Sequence, residues 1–593
     1  MTSTITATAP PDVARKRSLR AVVLAVVGLL AATLAAVSAS RVTLPVDSDL
    51  GLVARLPASY WVGLILLNLV FATALFGRRQ HRPNPWVMTL LLAALVVVLF
   101  GVTALMADYP RGEVAWRHIG IADALARTGS INPDVDAYFN WPGFFGLLAA
   151  FSGATGIAPL DVAVWAPVFN LGLWLVALAV LVRALTSDPR RLWLTLWLFS
   201  LGNWHDQDYL SPQAFAFFLY LVVLAILLRT LKAGAPPLRG AHASDVLAWW
   251  RGRTPTEPDP RRRVGALLVV VLLVVVISAS HQLTPFMLLV AVVALTLSGR
   301  TWSPGLALLA VMIVGIWLAY PASAYLIGHP PLGDVGIQSA AEANVNDRLA
   351  GTAGHVLVVQ IRMGLSVLMW VLAAIGVLLE RRRGQFDIRP ALLAVTPFIM
   401  LPVQTYGGEM LIRVSLFALP FTAYLAAGAL LPVKQAAFRG RAIGLAALFG
   451  LLAMLTVTGR YGNTQFDMFT QNEITASQKL YELAPKGAAL ISGANPTAWR
   501  YQEYLDHKYR TVKDLCILDH EPNACGEAVY AYARRSPAGA VLLLSRAAES
   551  SMVMQGVVTP GAFQEFEQWL GHRDAIHLVY ENPDARIYRI DPW

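Results

Sequence analysis

Charged residues are scarce in this chain. Asp, Glu, Lys and Arg make up 14% of its 593 residues, whereas about a quarter of a typical soluble domain is charged. Hydrophobic residues make up 56% of the sequence, and the mean hydropathy is +0.54. A shortage of charge over this length excludes a protein built around one water-soluble core. It indicates many separate apolar segments, as in a protein that crosses a membrane several times.

The apolar residues fall in runs of membrane-spanning length. The hydrocarbon core of a bilayer is about 30 Å thick, and a helix needs roughly 20 apolar residues to cross it. We therefore predict an α-helical polytopic membrane protein with about thirteen transmembrane helices. The runs lie near residues 21–40, 60–77, 87–106, 161–184, 191–203, 214–230, 264–279, 284–298, 303–320, 365–379, 388–404, 415–431 and 441–458.

Basic residues are clustered between these runs rather than spread over one surface. The net charge is +10, but this clustering argues against nucleic-acid binding and is typical of charges that set membrane topology. If all thirteen runs cross the membrane, every cluster falls on one side, which is then the cytoplasm. We therefore predict a multi-pass plasma-membrane protein with a cytoplasmic N-terminus and an extracytoplasmic C-terminus. The clusters lie near residues 15–20, 78–82, 190–191, 261–263, 381–383 and 434–441.

The chain divides into three parts. Residues 1–86 hold a cytoplasmic tail and two transmembrane helices, and residues 87–458 hold the other helices with outer loops at 107–160 and 321–364. Residues 459–593 contain the β-like runs KGAALIS and AGAVLLLS, each followed by a helix-like stretch, and end in two alternating strands around an Asn-Pro-Asp turn. This pattern predicts a small extracytoplasmic α/β domain. Residues 231–263 are predicted to be a cytoplasmic connector with an interfacial helix that carries Trp249 and Trp250.

Both cysteines of the chain, Cys516 and Cys525, lie in the C-terminal domain. A pair this close in an oxidising compartment indicates a disulfide rather than a metal site. A disulfide here would support the predicted topology independently of the charges.

Polar residues gather in four predicted outer turns. Ionisable residues at membrane depth are costly and often functional, and no inner turn has a comparable mixture of acids, histidines and amides. Purely structural roles stay open for these residues. An Asp at a helix end can be a cap, His281 can be a packed side chain, and Glu409 and Arg413 can form a helical ion pair. The candidates are Asp108, Arg111, Glu113, Arg117 and His118 in the first loop, His205, Asp206, Asp208, Tyr209 and Gln213 in NWHDQDYLSPQ, His281 and Gln282 in SHQLTP, and Tyr406, Glu409 and Arg413 in QTYGGEMLIRV.

The outer segments follow the membrane helices in a definite order. A membrane helix leads to a long outer loop with an acid near its start. An amphipathic helix in WRHIGIADALARTG, a short apolar helix in WPGFFGLLAAFSGATG, further spans and an outer soluble domain follow. This layout resembles the GT-C superfamily of polyprenyl-phosphate-dependent glycosyltransferases, which includes oligosaccharyltransferases, protein mannosyltransferases and actinobacterial arabinosyltransferases. The resemblance covers about residues 87–593.

The resemblance implies roles for several residues. The catalytic acid of the first loop corresponds to Asp108, with Glu113 in reserve. The metal-binding motif of the second loop matches Asp206 and Asp208, which implies a divalent cation such as Mg²⁺ or Mn²⁺. Arg413 or Arg117 would lie near the lipid phosphate, and the remaining polar residues of the turns would bind substrate. Because WRHIG lacks the Asp-Glu pair of related transferases and many members need no metal, both assignments stay open.

The sequence therefore predicts a membrane glycosyltransferase that moves a sugar from a polyprenyl-phosphate donor to a cell-envelope glycan or lipid acceptor. Such a reaction needs a carboxylate for the acceptor hydroxyl and positive charge for the departing phosphate. The alternatives are a polysaccharide polymerase or ligase and a lipid-glycan flippase or transporter, although the internal repeats typical of transporters are not evident. The segment 321–364 is either a lid over the site or an inert loop; its polar residues are His329, Asp334, Glu342, Asp347 and Arg348.

Overall fold

The computed structural model describes residues 11–44, 48–76, 83–234, 254–302, 305–328, 342–404, 406, 408–431, 438–516, 518 and 522–592. Some sequence predictions fall outside these residues. They concern the basic residues at 78–82 and the side chains Trp249, Trp250, His329, Asp334 and Lys434.

Within the described residues, eight helices are long and apolar enough to cross a membrane. They are Leu19–Ala39, Ala58–Phe76, Pro159–Leu185, Pro212–Arg229, Pro260–Ser280, Ala353–Arg382, Met410–Leu430 and Ala442–Tyr461. Shorter apolar helices are Pro85–Phe100, Gly143–Thr155, Thr284–Leu297, Gly305–Ala319 and Ile388–Met400. The predicted helical, polytopic architecture is confirmed, whereas the number of thirteen spans stays a prediction.

The helices are numbered in chain order. They are α1 (Pro11–Ala39), α2 (Ala58–Phe76), α3 (Pro85–Phe100), α4 (Val102–Met106), α5 (Glu113–Thr128), α6 (Gly143–Thr155), α7 (Pro159–Leu185), α8 (Pro189–Gly202), α9 (Pro212–Arg229), α10 (Pro260–Ser280), α11 (Thr284–Leu297), α12 (Gly305–Ala319), α13 (Ser323–Gly328), α14 (Ala353–Arg382), α15 (Ile388–Val395), α16 (Met410–Leu430), α17 (Phe438–Tyr461), α18 (Thr464–Asp467), α19 (Gln471–Leu483), α20 (Val512–Leu515), α21 (Pro522–Arg534), α22 (Arg546–Met554) and α23 (Ala562–Leu570). Short 3₁₀ turns lie at Gly51–Ala54, Ala137–Asn140, Asp347–Leu349 and Thr396–Met400, and a π turn lies at Glu342–Asn346.

Several helix starts follow a common local pattern. Helices α3, α8, α9 and α10 begin with proline, and the side chain of the preceding Asn84, Asp188, Ser211 or Asp259 accepts a hydrogen bond from a backbone N–H of the first turn. Proline has no N–H to leave unpaired at this position, and the cap satisfies another free donor. The sequence therefore sets these helix starts locally.

Small residues and aromatic rings pack the first two helices against the rest of the bundle. A Cβ atom on Gly63 would lie 2.6 Å from the carbonyl oxygen of Ala31, so a glycine permits the close approach of α1 and α2. Trp197 of α8 stacks on Phe71 of α2 with ring centroids 3.7 Å apart, and its indole N–H donates to Asn68 at 3.0 Å. The two N-terminal helices are therefore integral to the apolar core.

The C-terminal domain contains a five-stranded mixed sheet. Its strands are β3 (Ala489–Ser492), β4 (Lys508–Thr511), β5 (Ala540–Ser545), β6 (Ile576–Asn582) and β7 (Ala585–Ile590), in the order β4-β3-β5-β7-β6; the short strands β1 (Ala233–Gly234) and β2 (Thr254–Pro255) pair elsewhere. Strands β4, β3 and β5 are parallel to one another, whereas β7 pairs antiparallel with both β5 and β6. All residues of β3 and β5 are buried, as expected for strands covered on both faces. The predicted small α/β domain is confirmed, and so is its Cys516–Cys525 disulfide. The helix-like stretch predicted after the first β-like run is wrong, because residues 493–507 form turns that lead from β3 directly to β4.

The long loop after α4 contains both helices expected from its sequence. Helix α5 ends at Gly129, which has a φ of 63° and donates its backbone N–H to Leu125, as a left-handed C-cap residue does. Helix α6 has 13 residues, too few to cross a bilayer on its own. Trp116 of α5 packs against Tyr501 of the C-terminal domain, with ring centroids 5.3 Å apart. The loop therefore joins the membrane helices to the C-terminal domain.

Candidate active site

A polar cavity of about 410 Å³ lies between the membrane helices and the C-terminal domain. Its volume is in the range of small-molecule binding sites. The loop before α5, the loop between α8 and α9, helix ends of the bundle and loops of the C-terminal domain all contribute to its wall. Its charged lining residues are Arg111, Glu113, Arg117, Asp206, Glu409, Arg413, Arg460, Asp467 and Lys513.

A chain of alternating charges forms one part of the wall. Arg111 makes an ion pair with Asp206, and its Nη2 also lies 3.7 Å from Oδ2 of Asp467. Nη2 of Arg460 lies 2.7 Å from Oδ1 of Asp208 and 3.3 Å from Oδ1 of Asp206. Asp206 has a φ of 57°, a left-handed conformation that Asp adopts more readily than most residues. This turn brings both aspartates of the loop to Arg460.

The two aspartates predicted to bind a metal are engaged with arginines. A divalent cation such as Mg²⁺ needs about six oxygen ligands. Arg111 and Arg460 already occupy the position next to Asp206 and Asp208, and their positive charges would repel a cation there. Within the described ranges, no group of three or more His, Cys, Asp or Glu residues has the geometry to hold a metal ion. The donor set does not fit a divalent cation, so the metal assignment stays a prediction that this arrangement does not favour.

Glu113 supplies the cavity with a carboxylate that has no partner. It is the first residue of α5 and lines the cavity, and no hydrogen bond or ion pair holds its carboxylate within the described part of the chain. Burial raises the pKa of Glu113, and the positive charges of Arg500 and Arg117 act against this rise. A carboxyl group with a raised pKa that faces a cavity suits general base catalysis.

Asp108, the acid that the resemblance favours, is exposed in the loop before this helix and is not among the cavity-lining residues. The chain turns between the two acids at Gly112, which has a φ of 79° and donates its N–H to the carbonyl of Asp467 at 2.8 Å. The turn directs Glu113, and not Asp108, to the cavity. The role of Asp108 stays a prediction from the resemblance.

Arg117 lies one helical turn after Glu113 and is held from outside the cavity by Asp136. Nε of Arg117 donates to Oδ2 of Asp136 at 2.7 Å, and the hydroxyl of Tyr504 donates to the same carboxylate. The guanidinium also lies over the ring of Tyr138, 4.9 Å from its centroid. Tyr504 of the C-terminal domain thus helps to fix the position of the Arg117 guanidinium in the cavity.

Arg413 and Glu409 form the third charged cluster, at the start of α16. Nη2 of Arg413 donates to Oε2 of Glu409 at 2.6 Å, and the guanidinium lies 4.3 Å from the ring centroid of Tyr406. The Tyr406 hydroxyl accepts a hydrogen bond from Gln282. Arg348, in the segment predicted to be a lid, donates to the carbonyl of Gly408 at 2.7 Å. Arg348 of that segment therefore contacts the turn that carries this cluster.

The three candidate histidines are packed, neutral side chains. Nδ1 of His118 lies 2.7 Å from the carbonyl oxygen of Leu210, and Nδ1 of His281 bonds the hydroxyl of Thr284 at 2.8 Å. Burial lowers the pKa of His118 and of His205 to about 3 and also lowers the pKa of His281. All three therefore stay uncharged near neutral pH, and none lines the cavity.

The structure brings only part of the predicted set together. The predicted residues that line the cavity are Arg111, Glu113, Arg117, Asp206, Tyr209, Glu409 and Arg413. Those that do not are Asp108, His118, His205, Asp208, Gln213, His281, Gln282 and Tyr406. Of these, Asp208 pairs with the lining residue Arg460. Sequence reasoning missed Arg460, Asp467 and Lys513. Of these, only Arg460 carries a sequence signal, as an arginine at the end of an apolar run.

Comparison with known proteins gives a structural match but no sequence match. The sequence matches no protein-family model, and no curated protein is significantly similar to it. ArnT from Cupriavidus metallidurans, solved bound to undecaprenyl phosphate, aligns over 85% of this chain and 98% of its own length, with 11% identity and a TM-score of 0.50. This chain has the GT-C fold.

Two further GT-C structures align less closely. The oligosaccharyltransferase of Archaeoglobus fulgidus, tethered with an acceptor peptide, matches 85% of this chain and 72% of its own length at 12% identity, with a TM-score of 0.46. The mycobacterial arabinofuranosyltransferase AftD matches 86% of this chain and 40% of its own length at 12% identity, with a TM-score of 0.45. At 11% identity the likeness to ArnT shows the fold alone, and the reaction must be argued from the cavity.

Proposed function

We propose that this GT-C protein transfers a sugar from a polyprenyl-phosphate donor to a cell-envelope glycan or lipid acceptor, at the non-cytoplasmic face of the plasma membrane. The observation that carries the proposal is the cavity itself. It combines the unpartnered carboxylate of Glu113 with two buried arginines, Arg413 and Arg460, at the ends of membrane helices.

The carboxylate supplies the base. In the proposed reaction, the acceptor oxygen bonds to the anomeric carbon of the sugar while the bond from that carbon to the phosphate oxygen breaks. The acceptor proton passes to the carboxylate of Glu113, and the polyprenyl phosphate leaves with the bonding electrons. General base catalysis of this kind is worth about 10²–10⁴-fold in rate, and the raised pKa of Glu113 brings the group nearer to neutral pH.

The arginines supply positive charge for the departing phosphate. Nε of Arg413 and Nη1 of Arg460 are buried and have no hydrogen-bond partner within the described residues, although both guanidinium groups are already anchored by acids. An anchored guanidinium with a free N–H is a preorganised donor for phosphate oxygens. The ArnT structure with undecaprenyl phosphate supports a lipid phosphate as the ligand.

The position of the cavity suits a lipid-linked donor. Ala163, Val164 and Pro167, in the first turns of the membrane-spanning helix α7, line the cavity beside the charged residues. A substrate that reaches the cavity along this helix would keep its polyprenyl chain in the bilayer and present its phosphate to the arginines. The basic clusters between the apolar runs support a cytoplasmic location for the opposite ends of the helices.

A transfer assay tests this proposal. The full-length protein in lipid nanodiscs is incubated with undecaprenyl phosphates that carry radiolabelled hexoses or pentoses, and we expect release of undecaprenyl phosphate from at least one donor. Because Asp206 and Asp208 pair with Arg111 and Arg460, EDTA should leave the rate unchanged. Failure to consume any donor of the panel would contradict the proposed function. Loss of activity in EDTA, restored by Mg²⁺ or Mn²⁺, would instead reinstate the metal role of the two aspartates.

A further inference from the structure

A groove of about 350 Å³ lies on the outer surface of the helix bundle, between α14, α15 and α16. Both α14 and α16 are long and apolar enough to span the membrane. Every side chain that lines the groove is apolar: Trp370, Ala373, Ala374, Val377, Leu378, Ala391, Ala394, Val395 and Leu425. We call it the α14 groove. At membrane depth such a groove is filled by hydrocarbon, either from a lipid or from another helix.

Close packing and small side chains form the groove. A Cβ atom on Gly376 of α14 would overlap the carbonyl oxygen of Leu425, so the two helices touch there and α16 forms the floor. Four alanines line the groove, and larger side chains at these positions would fill it. At one end, Trp370 packs against Phe398 of the 3₁₀ turn after α15, with ring centroids 5.4 Å apart. The groove is therefore a fixed feature of the packed bundle.

Exposed arginines lie at the other end of the groove. The lining residues of α14 are 370, 373, 374, 377 and 378, a helical stripe whose next position is 381. Arg381 is exposed, its guanidinium lies 4.7 Å from the ring centroid of Phe386, and it has no ion pair within the described residues. Arg382, one turn after Leu378, is also exposed and has no ion pair among those residues. The groove thus joins apolar surface to exposed positive charge, which suits a ligand with a hydrocarbon chain and an anionic head.

The α14 groove lies far from the charged cavity. Arg413, which lines the cavity, and Leu425, which lines the groove, are twelve residues apart on α16, about 18 Å along the helix axis. From Trp370 to Leu378 the groove extends about 12 Å along α14, and one leaflet contributes about 15 Å of hydrocarbon. The groove therefore matches one leaflet, and the basic residues at 381–383 predict that this leaflet is the cytoplasmic one.

We propose that the α14 groove binds an anionic glycerophospholipid of the cytoplasmic leaflet, with an acyl chain in the groove and the phosphate on Arg381. A guanidinium donates paired hydrogen bonds to phosphate oxygens, while the acyl chain covers the alanines. A second copy of the protein suits the groove less well. A two-fold axis along the membrane normal would bring the arginines of both copies together at the same depth, where like charges repel. The inference does not depend on the proposed function, because no cavity residue takes part in it.

Native mass spectrometry of the full-length protein tests this site. The protein is reconstituted in nanodiscs of equal parts phosphatidylglycerol and phosphatidylcholine, and the lipids that it retains after release from the disc are counted. Wild-type protein should retain one phosphatidylglycerol in preference to phosphatidylcholine. Arg381→Gln should lower this preference about tenfold, the effect of losing one hydrogen bond to a charged group. Ala374→Phe, a substitution at an exposed position of the lining, should fill the groove and lower the retention of both lipids.

Arg261→Gln is the matched control. Arg261 is also exposed, has no ion pair within the described ranges and lies in the first turn of α10, on the side of the membrane that is predicted to be cytoplasmic. This variant should retain phosphatidylglycerol as the wild type does. Equal losses in Arg261→Gln and Arg381→Gln would show only a general attraction of anionic lipid to basic surface and would overturn the site.

Three other outcomes would also overturn the proposal. Unchanged retention of phosphatidylglycerol in Ala374→Phe would show that the groove does not hold the lipid. Undecaprenyl phosphate added to the discs should not displace phosphatidylglycerol, and displacement that depends on Arg381 would show that the ligand is a polyprenyl phosphate. A protein dimer that Ala374→Phe abolishes would assign the groove to a second copy of the chain.

Discussion

Glu113→Gln should lower the rate of sugar transfer by about 10²–10⁴-fold, the usual contribution of a positioned general base. The substitution keeps the size of the side chain but removes its negative charge and its ability to accept a proton. Because Glu113 has no hydrogen-bond or ion-pair partner within the described residues, its replacement breaks no internal contact there, and the protein should reach the membrane in normal amounts. The measurement is kcat with saturating donor and acceptor.

The matched control is Asp108→Asn, in the same loop but outside the cavity lining. This variant should transfer sugar at close to the wild-type rate. A large loss in Asp108→Asn with little loss in Glu113→Gln would contradict our assignment and restore the acid that the family resemblance favours. In wild-type protein, the rate should rise with pH through the pKa of Glu113, which burial raises above the usual value for glutamate, because only the carboxylate can accept the proton. Glu113→Gln should lack this acid limb.

Arg413→Met should lower kcat/KM for the polyprenyl-phosphate donor by about 10²–10³-fold, the effect of losing one preorganised donor to a developing charge. Arg413→Lys should recover part of this loss, since an ammonium keeps the charge but not the planar fork of N–H groups. The partner Glu409 is 44% exposed at its side chain, so water can solvate it after the substitution. We therefore expect little loss of stability.

Arg389→Met is the control for this experiment. The side chains of Arg389 and Arg413 are both 9% exposed, and each pairs with a nearby acid, but Arg389 does not line the cavity. If both variants lose donor kcat/KM equally, the loss reflects damage to a buried ion pair and not loss of phosphate binding. A normal donor KM and kcat in Arg413→Met would leave Arg460 as the only candidate of the two.

Local sequence patterns predict much of the architecture. Apolar runs predict the membrane helices because the bilayer demands a fixed length of apolar chain. The helix stop at Gly129 and the hairpin around the Asn-Pro-Asp turn depend only on neighbouring residues. The disulfide between Cys516 and Cys525 follows from their spacing and from the predicted compartment.

The composition of the site is less visible, because it depends on contacts between distant parts of the chain. Arg460 meets Asp208 across 252 positions, and Lys513 enters the cavity through the topology of a sheet whose strands the sequence does not order. The choice between Asp108 and Glu113 rests on a left-handed turn at Gly112. An Asp-x-Asp motif supplies the oxygen ligands that a metal prefers. In the folded chain, however, two arginines pair with these aspartates, so the motif no longer predicts a metal site.

The location of a bound lipid phosphate tests the central claim most directly. A cryo-EM structure of the full-length protein in nanodiscs with undecaprenyl phosphate should show the phosphate within hydrogen-bonding distance of Arg413 or Arg460, with the chain leaving the cavity beside α7. A phosphate bound at the opposite ends of the membrane helices, or at a surface remote from Glu113, would contradict the claim that this cavity transfers sugar from a polyprenyl-phosphate donor.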